Sequence, residues 1–94
     1  MLIQITSKKS IEIDPEIIEY IKEHNQDFRV CTSCFGSEIL PIWMKQPKPS
    51  DVTTKVGENT LYISRVQASY INRVDRSMLR PSYIAQMEEF FLKR

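Results

Sequence analysis

Apolar and polar residues alternate in "LIQIT" near the start of the chain, which places Ile3 and Ile5 on one side. They alternate again in "IEI", where Ile11 and Ile13 do the same. With "SKKS" between them, the two runs predict a β-hairpin. The period then lengthens. Asp14 is placed to cap a helix, Pro15 has the fixed φ of a first helical residue, and Glu16 adds an acid to the first turn. This helix is expected to run to about Asn25. At about 100° per residue, Ile17, Ile18 and Ile21 share one face and Glu16, Glu19 and Glu23 the opposite one, with His24 at the border.

"FRV" returns to alternation, with Phe28 and Val30 on one face of a strand. After Gly36, "EILPIWM" is apolar enough to be buried. Pro41 lacks the amide that a central strand would donate, so an edge strand or an extended segment is expected. "KQPKPSD" is a loop by composition, stiffened by its two prolines. "DVTTKV", "GEN" and "TLYI" predict a second hairpin with Val52, Leu61 and Ile63 among its apolar contributions. Ser64 then caps a longer helix, "RVQASYINRVDRSML", in which Val66, Tyr70, Ile71, Val74 and Met78 fall on one face. Pro81 ends or kinks it, because proline steers Arg80 away from helical geometry. A last helix over roughly 82 to 93 would bury Ile84, Met87, Phe90 and Phe91.

These elements predict an α+β fold: a small antiparallel sheet of about four or five strands, built from two hairpins and packed against two or three helices. The 94 residues suffice for one hydrophobic core and not for two, so residues 1–94 are expected to form a single domain. Hydrophobic residues at 41% and only 2 glycines point to a globular chain and not a disordered one. Thirteen basic residues against 12 acidic ones leave a net charge of +1, so attraction to a polyanion would have to come from a local patch. The order of apolar and basic residues at the start is wrong for a secretory signal, and no run reaches the roughly 18 to 20 apolar residues of a membrane span. A reduced, cytoplasmic protein without membrane association is expected.

Both cysteines, Cys31 and Cys34, lie in "FRVCTSCFGSEILP". Thiolates three residues apart can converge on one metal ion if the chain turns between them, and zinc is the natural occupant. The run from Cys31 to Gly36 resembles the knuckle of zinc-ribbon and rubredoxin-type sites, with Phe35 where those usually carry glycine. A closed zinc site needs four ligands, and a second CxxC is lacking. His24 with Asp27 or Glu38 could complete it, or a two-fold homodimer could bring four thiolates together. The pair also resembles the thioredoxin-like CxxC, in which the first cysteine is activated at a helix start, although Gly36, Ser37 and Pro41 disfavour the helix. A third reading leaves both thiols as small packed side chains.

The other constellation is basic. On a continuous helix Arg73, Arg76 and Arg80 fall within about 80° of Arg65, and guanidinium groups in such a stripe match phosphates. RNA or another polyanion is therefore a candidate partner. The acidic face of Glu16, Glu19 and Glu23 could instead pair with the arginines. No G-x-S-x-G, H-E-x-x-H or phosphate-cradling glycine loop is present. The expected role is a non-enzymatic binding or assembly protein, metal-stabilised through Cys31, Cys34 and His24. Its alternatives are a thiol–disulfide redox protein and a polyanion-binding module using Arg65, Arg73, Arg76 and Arg80.

Overall fold

The computed structural model describes residues 1–6, 9–33 and 36–79. Strand β1 (Leu2–Thr6) pairs antiparallel with β2 (Lys9–Ile13), and their register shifts between Gln4 and Thr6. Helix α1 (Pro15–His24) follows. The backbone carbonyl of Asp14 accepts from Ile17 and Ile18, and Pro15 opens the first turn as expected. At the other end Asn25 adopts the left-handed conformation, φ 48°, and its amide closes on the Ile21 carbonyl. Ile17 and Ile21 are fully buried, which is the face the periodicity selects.

The chain next forms β3 (Phe28–Ser33) and β4 (Gly36–Pro41), antiparallel over six pairs. Pro41 is the last residue of β4, which lies at the edge of its sheet, where a missing amide costs nothing in pairing. Strands β5 (Val52–Val56) and β6 (Asn59–Ile63) form the second expected hairpin. Val56 pairs with Asn59 across the two residues Gly57 and Glu58. Gly57 takes φ +64°, the positive value that the first residue of a type II′ loop requires.

The single antiparallel sheet of the sequence reading is replaced by two mixed sheets. One has the order β1-β2-β7, in which β7 is the short strand Arg73–Val74, and the other β4-β3-β6-β5, and each contains a parallel contact, β2 with β7 and β3 with β6. The fold is α+β, but among the described residues it has more sheet and less helix than predicted. The helix expected from Arg65 onward ends after α2 (Arg65–Tyr70). Strand β7 (Arg73–Val74) and a 3₁₀ turn (Arg76–Met78) take its place. Here the edge of β2 outcompetes the helix: the Glu12 amide donates to the Asn72 carbonyl at 2.9 Å and the Asp14 amide to the Val74 carbonyl at 3.0 Å. Local chemistry works in the same direction. Tyr70, Ile71 and Val74 have modest helix propensity, and the Asp75 side chain accepts from the Ser77 amide at 2.9 Å, capping a new turn.

As a result, Val66 and Tyr70 are exposed, at 56% and 78%, whereas the interrupted register buries Gln67 and Ala68. Val74 and Met78 do enter the core, from a strand and a 3₁₀ turn. The last expected helix, with Ile84, Met87, Phe90 and Phe91, lies outside the described residues.

The core lies between α1 and the inner faces of both sheets, with Ile11, Ile13, Ile17, Ile21, Phe28 and Leu61 at its centre. Strand register assigns the two faces of the larger sheet. Val30 stands beside Ile39 and Ile63 on the core side, while the next row, Arg29 with Leu40 and Tyr62, faces the other way. Cys31 and Glu38 pair across β3 and β4. Among the described residues, no helix is long and apolar enough to cross a membrane.

Candidate functional site

Arg29 organises the outer face of the larger sheet. The alternation that turns Phe28 and Val30 inward turns Arg29 outward, yet the residue is only 3% exposed. Its partner comes from the proline-containing segment between β4 and β5. Arg29 donates Nε–H to Asp51 Oδ2 at 2.7 Å and Nη2–H to Oδ1 at 3.0 Å. Asp51 also accepts from the Lys48 amide at 3.2 Å, so one carboxylate fixes both the arginine fork and the turn that precedes it. Burial pushes the Asp51 carboxyl up, but the Arg29 hydrogen bond, the Lys48 amide and the nearby positive charges outweigh it and hold it below the usual range. The same bond raises Arg29.

This ion pair fastens residues 42–51 against the sheet and leaves a cavity of about 220 Å³ beside it. Arg29, Lys45 and Lys48 supply three cationic residues to its lining, with Cys31, Thr32 and Ser64 around them and Val66 on the rim. No carboxylate lines it among the described residues. Neither lysine is engaged in an ion pair among the described residues.

The far wall of the cavity is held by a side-chain clamp. Ser64 caps α2 by accepting the Gln67 amide at 3.2 Å. The Gln67 side chain donates Nε2–H to Thr32 Oγ1 at 2.7 Å and accepts from the Ser37 hydroxyl. One buried amide therefore ties α2 to β3 and β4 together and fixes Thr32 and Ser64 relative to each other.

The predicted metal residues are less concentrated. Cys31 is buried within β3, and the following Thr32 and Ser33 are extended strand residues, not the turn a knuckle needs. Cys34 lies outside the described residues. His24 Nδ1 is 2.8 Å from the Tyr20 carbonyl, and since a carbonyl only accepts, Nδ1 carries the proton and donates. Its ring packs on Tyr20, with centroids 4.2 Å apart, and meets Phe28 edge-on at 6.2 Å. Among the described residues, no three histidine, cysteine or acidic side chains form a metal-holding group. Burial pushes the Cys31 thiol up, and Arg29 and Lys45 offset only part of that. Mid-strand, without a helix start, Cys31 lacks the setting that lowers the pKa of a redox cysteine.

The predicted arginine face loses its common helix when that helix ends at Tyr70. Arg65 stays on α2, Arg73 moves to β7, Arg76 enters the 3₁₀ turn, and Arg80 lies outside the described residues. Two of these arginines have acidic neighbours. Arg73 reaches Glu12 at 2.7 Å and Asp14 at 3.3 Å, and Arg76 lies 3.8 Å from Glu16. The pairing of Arg76 with Glu16 matches the acidic-face alternative in kind.

Sequence reading missed Lys45, Lys48 and Asp51, which it assigned to a loop. A usable signal was present: a charge in the middle of "FRVC" must face away from the apolar side and requires an acid from elsewhere in the chain. Comparison with known protein families, characterised proteins and solved structures finds no match.

Proposed function

We propose that this is a small non-enzymatic binding protein that takes an anionic group into the cavity between residues 42–51 and the junction of β6 with α2. The observation that carries the reading is the composition of the lining: Arg29, Lys45 and Lys48 with Thr32 and Ser64 and no acidic residue among the described residues. Arg29 is already committed to Asp51, so its role is to position, and the exposed lysines supply the mobile charge. Two ammonium groups three residues apart repel each other, and an anion between them relieves that repulsion while accepting from Thr32 and Ser64.

The test is a titration of isotope-labelled protein with inorganic phosphate or sulfate at low ionic strength, followed through backbone amide shifts. Shifts should concentrate at Cys31, Thr32, Lys45, Lys48 and Ser64. The double variant Lys45→Gln, Lys48→Gln should abolish them. Saturating anion should also raise the melting temperature of the parent protein, because a ligand that binds only the folded state stabilises it. Shifts scattered over the surface, or unchanged in the double variant, would refute the reading.

A further inference from the structure

We propose that the anion is a phosphate of single-stranded nucleic acid, seated between Lys45 and Lys48 while Tyr70 stacks on a neighbouring base. This rests on the anion-pocket reading and adds to it the identity of the ligand. Volume supplies the first step: about 220 Å³ is below the roughly 300–1,000 Å³ of sites that enclose a whole organic ligand. The cavity has room for one anionic group, and the body that carries the group must lie outside.

The structure specifies what that body meets. Val66 lines the cavity and is also 56% exposed, so it marks the point where the cavity opens onto α2. Tyr70 follows four residues later on the same helical face, 78% exposed. A cationic cavity therefore continues into an apolar contact and then an aromatic ring within one helical turn. Arg65, exposed and without an ion pair among the described residues, adds positive charge at the start of α2, about 100° around the helix from Val66. A nucleotide unit has the same sequence of chemistry, a charged phosphodiester joined to a flat base with a π-face. The base must be unstacked to reach Tyr70, which selects a single strand over a duplex. An acidic peptide would satisfy the lysines but has no planar group to place on the tyrosine.

The test uses the full chain and a fluorescein-labelled oligouridine, read by anisotropy at low and raised salt. The same RNA annealed to oligoadenosine and a polyglutamate competitor serve as controls. The expected result is binding of oligouridine that weakens with salt, weaker binding of the duplex, and poor competition by polyglutamate. Tyr70→Ala should weaken RNA binding about 5- to 100-fold, while Tyr70→Phe retains it. Tyr70→Ala should leave the amide shifts produced by inorganic phosphate unchanged. Unaltered RNA affinity in Tyr70→Ala, or displacement of RNA by polyglutamate at equal charge, would overturn the inference. So would a lack of RNA binding at low salt while phosphate still shifts Thr32 and Ser64, and in that case the anion pocket itself would stand. Loss of both responses would remove the pocket as well.

Discussion

An arginine that is 3% exposed needs a matched acceptor, and Arg29 finds it in Asp51, 22 residues further on. The half of this pair that is legible in the sequence is Arg29, a charge inside an apolar strand. Asp51 is not legible, because its arrival depends on the path of a loop that carries no periodic signal. Asp51→Ala should destabilise the fold by about 3–5 kcal/mol in urea unfolding, since it leaves a buried cation without its partner. Replacing both members together, Arg29→Met with Asp51→Leu, should recover most of that loss. Acid should have a related effect. The Asp51 carboxyl titrates below its unfolded value, so the stability it contributes is present above about pH 4 and is lost as pH falls through the folded value. Asp51→Asn should be less stable at neutral pH and show a shallower decline on acidification, measured by unfolding at a series of pH values. The residues of the CxxC divide differently. The burial of Cys31 fits the packed-thiol alternative, and its position in a strand could not be read from spacing alone.

Elements whose signals are local were read well, and those that depend on distant partners were not. The β1–β2 hairpin, α1 and the β5–β6 hairpin follow from period, the proline at the helix start and turn residues within a few positions of one another, although the Asp14 side chain expected to cap α1 makes no capping hydrogen bond. Gly57 belongs to this group. Its φ of +64° disfavours any side chain, and an added Cβ would contact the Lys22 chain at 3.4 Å. Gly57→Ala should cost about 1 kcal/mol in thermal or urea unfolding, mostly from the backbone and little from the flexible lysine. The stretch from Arg65 to Met78 is the counterexample. Its apolar spacing suits one long helix, but β2 offers an open edge to Asn72 and Val74, and pairing there buries Val74 completely. Arg65, Arg73 and Arg76 fall on different elements for the same reason, since their common face required the longer helix.

At the scale of the whole molecule, the α+β class was evident from patterning, whereas the division into two mixed sheets was not. Parallel pairs join segments far apart in the chain, and no short-range signal specifies them. Both sheets draw on the same buried cluster, so damage at one parallel contact should reach the rest. Val74→Asp, which places a carboxylate at a fully buried position, should lower global stability by several kcal/mol. Native-state hydrogen exchange offers a milder check. The amides of Glu12 and Asp14, which bond to Asn72 and Val74, should exchange with the slow core class and not with the loops. Rapid exchange at both would mean that β7 is not a stable strand.

The salt bridge between Glu12 and Arg73 spans 61 residues of sequence, and the β2–β7 pairing beside it spans the same interval. During synthesis the first hairpin leaves the ribosome long before its third strand has been translated, and an isolated two-stranded hairpin is marginally stable at best. The larger sheet waits in a similar way for β6. The nascent chain therefore exposes Ile11, Ile13 and Phe28 until the later strands follow, and it can close its core only when the stretch after Tyr70 has emerged.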